Sequence, residues 1–516
     1  MLWRVHLRRI AVRMLLSVLL AIVTLTASAP SDTRAKDSAV FEPASCPFAL
    51  PSGLVDGDGV TCGYLTTPMF HGEDSVTTAL LAVARLSSTL SNPAPEPLVL
   101  LLGGPGQELE TVLPAFAPGA AISYRSLLER QDVILLEQRG IGYSEPSLAC
   151  PFDTVGGVDA SEILLSTDDP VVAFGDCAEG LRAEGIDLEA FDSIQSAADV
   201  DALRRALGYE RIDLLGISYG SRMVLTVMRD FPASVRSAVL ASPLPLQANV
   251  VAGQVIGFDN ALDRLLASCA ARVDCADRFP DVDSALSDAV DRLTAEPFTV
   301  SGAHPITGEP VEILVDGTVF LEILYVATFI GPLLQFVPAL ISGVVEGNNV
   351  VLETLAPYTQ ILTTGVSLGA NYVINCNEEF GQTDAGVISA NVAKADVRPE
   401  LRSGDFAGGS DTFPICNEIG VTPAAPTENA AVASDIPTLI VSGEYDPITP
   451  PVYGDLAATT LPNSVIVVID GVSHDPLSTS GSCGFAIVAD FLTDPTRAPE
   501  SSCADDTPIE FFIGAE

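Results

Sequence analysis

Gly216-Ile217-Ser218-Tyr219-Gly220 joins a short apolar run, Arg211 to Gly216, to a helix-like run from Ser221 to Arg229. A strand that turns sharply into a helix at a G-x-S-x-G pentapeptide holds its serine with the hydroxyl exposed, at the positive end of the helix. The flanking glycines are expected because the turn is strained and a Cβ there would clash with neighbouring strands. Ser218 is therefore the candidate nucleophile. Gly365-Val366-Ser367-Leu368-Gly369 fits the same pattern. It follows two threonines and not a buried strand, and it leads into Ala370-Asn371-Tyr372-Val373 and not a long amphipathic helix. Ser367 reads as a loop or helix-end serine.

The surroundings of Ser218 alternate between strand and helix patterns. Thr77 to Leu86 is a strand candidate, and Leu98 to Leu102 is a continuous apolar run of the kind buried on both faces of a parallel sheet. The latter empties into Gly103-Gly104-Pro105-Gly106. Asp132 to Leu136 is the next such run, followed by Glu137-Gln138-Arg139-Gly140-Ile141-Gly142-Tyr143-Ser144. Ser196 to Leu207 reads as a helix closed by Gly208, and Ser237 to Ala241 as the strand after the nucleophile helix. From about 246 to 430 the rhythm changes. Gly257–Ser268, Asp281–Ala295 and Val319–Val344 carry helical patterns, and sheet-like runs are few. Alternation resumes at Pro437–Gly443 and Ser464–Ile469, with a last helix at Gly484–Leu492. This pattern predicts a mostly parallel central sheet flanked by helices, with an inserted, mainly helical lid. The expected division is 1–29 leader, 30–245 first part of the core, 246–430 lid and 431–516 second part of the core.

The first 29 residues read as a secretory signal. Arg4, Arg8, Arg9 and Arg13 precede an apolar stretch from Met14 to Leu25, and Ala27-Ser28-Ala29 offers a small-residue cleavage site. An uncleaved anchor is the alternative, for which the apolar stretch is short. Arg8-Arg9 hints at a twin-arginine signal, without support from its neighbours. No later run is long and apolar enough to span a bilayer; Val319–Val344 comes nearest and is interrupted by Glu322, Gly331, Pro332, Gln335 and Pro338. The expected location is the periplasm or the medium. Ten cysteines in an exported chain suggest disulfides. The spacing leaves the pairing open, and pairing of neighbours is the simplest arrangement: 46–62, 150–177, 269–275, 376–416 and 483–503. No C-x-x-C occurs, so zinc and thioredoxin-like readings have no support. The net charge of −42 makes nucleic acid and anionic membrane surfaces poor partners. The charge reads as a solubilising acidic surface. Attraction of cationic substrates is the weaker alternative, because salt screens it.

A serine hydroxyl needs a base, and that base needs a carboxylate to orient it. Of the four histidines, His6 lies in the leader, His71 precedes Ser218 and His304 falls in the expected lid. His474 follows the last core strand, as a base in chain order Ser, acid, His requires. Gly443-Glu444-Tyr445-Asp446-Pro447-Ile448-Thr449-Pro450 supplies the acid as Asp446, ahead of Glu444 and Asp455. The oxyanion of the intermediate needs backbone donors, expected from Tyr219 and from Gly104, since Pro105 has no N–H. No phosphate-loop pattern occurs, and no metal or organic cofactor is implied.

The order G-G-P-G, Q-R-G-x-G-x-S, G-x-S-Y-G, G-x-x-D-x-x-T-P and a late S-H resembles the prolyl/tripeptidyl aminopeptidase family of α/β-hydrolases, whose secreted actinobacterial members and related exported mycobacterial hydrolases are similar from about residue 50 to 505. The resemblance implies an α/β-hydrolase fold, a Ser218–Asp446–His474 triad and a helical lid ahead of a C-terminal segment carrying acid and base. It also implies lid carboxylates that clamp the free amine of a peptide, for which Glu378 and Glu379 are the candidates; a solvated acidic turn beside a disulfide is the alternative. Two positions depart from the family pattern: Leu102 stands where a histidine precedes G-G-P-G, and Glu137 where an aspartate precedes Q-R-G. Both touch the loops around the oxyanion site. The expected activity is release of residues or short peptides from free N-termini through an acyl-enzyme. The alternatives are an esterase acting on small esters and a non-catalytic binding protein on the same scaffold.

Overall fold

The computed structural model describes residues 39–73, 75–120, 124–152, 170–363, 365–402, 412–505 and 507–514. The expected signal segment, 1–29, lies outside the described residues. In chain order the first elements are β1 (Val40–Ala44), β2 (Val55–Asp56), β3 (Gly59–Pro68), β4 (Thr78–Leu86), β5 (Leu98–Leu101) and β6 (Val133–Leu136). Helices α1 (Pro170–Ala183) and α2 (Ser193–Ala206) lead to β7 (Ile212–Ile217), α3 (Tyr219–Asp230) and β8 (Val235–Ala241). Then come α4 (Val250–Ala271), α5 (Val282–Ala295), the hairpin β9 (Phe298–Ala303) and β10 (Pro310–Val315), α6 (Gly317–Phe329), α7 (Val337–Glu346) and α8 (Leu368–Glu378). The chain closes with β11 (Thr438–Gly443), β12 (Ser464–Ile469) and α9 (Cys483–Thr493).

Nine of the ten strands in the main sheet follow the order β1-β3-β4-β6-β5-β7-β8-β11-β12, with β2 paired to β3 off this path. From β6 to β12 every neighbouring pair is parallel; β1, β3 and β4 are antiparallel. The apolar runs earn their central places: β5, β6, β7 and β11 are buried at every residue, because helices cover both faces. β12 closes the sheet as an edge and keeps only alternate burial near its end. β5 lies between β6 and β7, so the strand order reverses there. In such sheets ligands bind beyond the carboxyl ends of the strands at the reversal.

A second apolar cluster, from Val255 to Leu401, lies almost wholly between β8 and β11 and gathers α4, α5, α6 and α7. The hairpin β9–β10 is a sheet element in a stretch read as helical. The apolar run Val319–Val344 is divided: α6 ends at Phe329, a 3₁₀ turn spans Gly331–Phe336 with Pro332 at its start, and α7 follows. Among the described residues no helix is long and apolar enough to cross a membrane. Ser367 is the N-cap of α8, an 11-residue helix, a position that fits its reading as a helix-end serine. Five disulfides join sequence neighbours, Cys46–Cys62, Cys150–Cys177, Cys269–Cys275, Cys376–Cys416 and Cys483–Cys503, the simplest of the pairings considered above.

Candidate active site

Ser218 stands on the single residue between β7 and α3, at φ 57° and ψ −124°. A non-glycine residue held there costs about 1–3 kcal/mol and persists only where its surroundings dictate it. The surroundings are visible. Its N–H donates to the Ala241 carbonyl at 2.9 Å, and its own carbonyl accepts from the Ser221 N–H at 2.8 Å and the Ser221 hydroxyl at 2.6 Å. A Cβ on Gly216 would collide with the Gly220 carbonyl, and one on Gly220 with the Leu101 carbonyl of β5. Both glycines are thus required by the closeness of the turn to its own helix and to the next strand.

The other two residues rise from β11 and β12, beyond β8 in the same sheet. Asp446 is fully buried, and its Oδ2 lies 2.8 Å from Nδ1 of His474. The same carboxylate accepts the Thr449 hydroxyl at 2.7 Å and the Ile448 and Thr449 N–H groups at 2.9 and 2.8 Å. Burial alone would push the Asp446 carboxyl up; His474 and the Thr449 donors outweigh it and hold it below the usual carboxylate range. For His474 burial opposes the charge, but the Asp446 carboxylate, its hydrogen bond and the nearby Asp475 together raise the imidazole above its ordinary value. Bonding through Nδ1 presents Nε2 on the opposite side of the ring. The His474 loop is tied on one side to the end of β8 and on the other to α6. The Asp475 N–H donates to the Ser242 hydroxyl at 3.2 Å, and Ser242 directly follows Ala241, the residue that accepts from Ser218. Phe329, the last residue of α6, stacks on the His474 ring at 4.8 Å between centroids, and Ser473 donates its hydroxyl to the Thr328 carbonyl.

Gly103-Gly104-Pro105-Gly106 lies against the serine: a Cβ on Gly103 would sit 3.2 Å from Cβ of Ser218. The Gly103 N–H is committed to Oε1 of Gln107 at 3.2 Å, whereas Gly104 is exposed, with φ +101°. Tyr219 opens α3 and buries its ring, with its hydroxyl 2.8 Å from that of Ser193. Glu137 does structural work beside this loop. It is buried, accepts the Leu109 N–H at 3.1 Å and the Tyr143 N–H at 2.7 Å, and ties the chain after Gly106 to the Q-R-G loop. Burial raises its carboxyl, against those two bonds, to about 7. Leu102 packs in the apolar layer formed with Leu100, Leu109 and Ile217.

Glu378 and Glu379 are neither solvated nor in an open turn. Both are 3% exposed and both are held by Arg222 of α3, at 2.9 Å from Nε to Glu378 and 3.0 Å from a terminal nitrogen to Glu379. Glu378 also accepts the N–H and hydroxyl of Ser193 at 2.5 and 2.8 Å, and Glu379 the Val250 N–H at 3.1 Å. Burial raises the Glu379 carboxyl, Arg222 lowers it and Glu378 raises it, with the result at about 7. A buried carboxylate pair must find a cation, and this one finds it inside the chain.

Thr449, Phe329 and Arg222 carried no role in the sequence reading. Thr449 had a signal, since a threonine three residues after an aspartate can close a turn by bonding back to it. Phe329 and Arg222 had none, because their partners lie more than a hundred residues away. Among the described residues no group of three or more His, Cys, Asp or Glu side chains could hold a metal ion.

Residues 96–277 match the family model described as alpha/beta hydrolase fold, and residues 407–503 the model described as TAP-like protein. The chain belongs to the α/β-hydrolases, with a C-terminal TAP-like segment, and is a serine hydrolase. It is similar, at 26% identity over 479 residues covering 89% of each chain, to Serine protease Hip1 of Mycobacterium tuberculosis (strain ATCC 25618 / H37Rv). It is 24% identical over 482 residues, 85% of each chain, to Carboxylesterase B of Mycobacterium tuberculosis (strain CDC 1551 / Oshkosh). A shorter match, 28% over 189 residues, covers 36% of this chain and 35% of Tripeptidyl aminopeptidase of Streptomyces lividans.

Proposed function

We propose that this chain is an exported aminopeptidase that uses Ser218, His474 and Asp446 as nucleophile, base and orienting acid. The observation that carries the reading is the 2.8 Å bond between Asp446 and Nδ1 of His474, in a loop tied through Asp475 and Ser242 to the end of β8, whose Ala241 carbonyl accepts from the Ser218 N–H. Oγ of Ser218 attacks the substrate carbonyl carbon while Nε2 of His474 takes its proton. The N–H groups of Tyr219 and Gly104 receive the oxyanion. Collapse breaks the C–N bond, the leaving amine takes the proton from His474, and an ester joins the acyl group to Ser218. Water, deprotonated by His474, then releases the acid and restores the serine. Residues 246–430 serve as the lid over the triad, and 30–245 with 431–516 as the core.

The preferred substrate is a short peptide with a free N-terminus, supported by the partial match to a tripeptidyl aminopeptidase. Arg222 already neutralises much of the Glu378–Glu379 charge, so we assign that pair to bracing α8 against α3 rather than to an amine subsite. An esterase is the second reading, favoured by the long match to a carboxylesterase. The test compares an aminoacyl or tripeptidyl anilide, its N-blocked counterpart and a nitrophenyl ester. Preference for the unblocked anilide supports the aminopeptidase; turnover of the ester alone supports the esterase. Absence of turnover on all three, with no labelling of Ser218 by a fluorophosphonate, leaves the binding-protein alternative.

A further inference from the structure

The second G-x-S-x-G pentapeptide has a place in the fold that its sequence did not disclose. Gly365 to Ser367 runs antiparallel to the chain after the glycine loop. The Glu108 N–H donates to the Gly365 carbonyl at 3.1 Å, the Ser367 N–H donates to the Gly106 carbonyl at 2.9 Å, and Gln107 and Val366 form the bridge between them. One turn into α8, Nδ2 of Asn371 donates to the Pro105 carbonyl at 2.7 Å. Its other amide atom, Oδ1, accepts from Nδ2 of Asn375 at 3.1 Å, which sets the amide's orientation. Gly106 has no room for a side chain here: a Cβ would sit 2.6 Å from the Ser367 carbonyl. At the far end of the same helix Glu378 grips Arg222, one turn after Tyr219 on α3.

A single helix thus holds, at one end, the loop carrying Gly104 and, at the other, the helix that starts with Tyr219. We infer that α8 is a strut fixing the separation of the two oxyanion donors, and that Asn371 is a positioning residue for the Gly104 N–H. This rests on the catalytic reading of Ser218 given above. Asn371 touches no reacting atom; it acts by holding the Pro105 carbonyl, and with it the Gly104–Pro105 peptide, which meets at the Gly104 Cα the peptide that carries the Gly104 N–H.

Asn371→Leu keeps the volume and removes the donor. Direct loss of one oxyanion donor costs 10²–10³ in kcat, so a misplaced donor should cost about 10-fold. The strut predicts that kcat falls by that factor while KM moves less than about twofold. It also predicts weaker binding, by the same factor, of a peptidyl trifluoromethyl ketone, whose hemiketal oxyanion occupies the same two donors. Unchanged kcat, a loss carried by KM, or unchanged ketone affinity overturns the inference. Asn375→Ala, which frees the Asn371 amide to turn, should shift kcat and ketone affinity in the same direction by less, and decides the matter where Asn371→Leu does not fold. Ser218→Ala is measured alongside. Full activity in that variant removes the catalytic reading and the strut with it. Its inactivity together with a native-like Asn371→Leu removes the strut alone.

Discussion

Gly443 lies so close beneath Ser473 that a Cβ at 443 would collide with the Ser473 carbonyl oxygen. The end of β11 and the loop carrying His474 are therefore in backbone contact, three residues before Asp446 and one before the imidazole. Gly443→Ala should push the His474 loop off Asp446, destabilise the fold by about 1–3 kcal/mol as overpacking does, and lower kcat more than it raises KM. Chemical denaturation and steady-state kinetics check this; native stability and kcat would show that the contact has slack.

The pH profile follows from the sign of one shift. His474 must be neutral to accept the serine proton, and its imidazole is raised above the ordinary histidine value of about 6.5. kcat/KM should therefore rise with pH and reach half its plateau above that value. Asp446→Asn removes the larger of the influences that raise it and leaves Asp475 against burial, which lowers it more, so the limb should move to lower pH. An asparagine can also hold the wrong tautomer, and kcat should drop by about 10⁴.

Arg222 pairs with two carboxylates in a buried site. Arg222→Leu leaves them uncompensated and should cost about 3–5 kcal/mol of stability. Glu378→Gln and Glu379→Gln should reduce turnover of blocked and unblocked anilides by similar factors. A loss confined to the unblocked substrate would return these residues to amine recognition.

Cys376–Cys416 ties α8 to a segment 40 residues on. Closing a loop of that length removes unfolded-state entropy worth about 4 kcal/mol. Cys376→Ser with Cys416→Ser should lower the denaturation midpoint accordingly, and more than loss of Cys269–Cys275, which spans only 6 residues. Equal midpoint shifts for the two pairs would contradict the loop-length argument.

The central strands were legible because a strand buried on both faces is a plain apolar run, and β5, β6, β7 and β11 sit where such runs fall. Asp446 and His474 were legible because each follows a strand that ends at the same edge of the sheet. The full course of the helix after Ser367 was not. Gly369, Asn371 and Tyr372 are poor local helix signals, and α8 is secured instead by contacts from afar: Gly369 packs against the Leu148 carbonyl and Asn371 bonds Pro105. The hairpin β9–β10 had a local signal, a turn containing Gly308 at φ +76° between β-branched runs, which its helical neighbours obscured. The setting of Glu378 and Glu379 was hidden for a simpler reason. A carboxylate's partner is decided by the fold, and Arg222 lies 156 and 157 residues away along the chain.

The most direct test is reaction of the intact protein with a fluorophosphonate, followed by mass mapping of the adduct. One adduct per chain on Ser218, absent in Ser218→Ala and formed far more slowly in His474→Ala, is the predicted result. An adduct on Ser367, or equal labelling rates with and without His474, would contradict it.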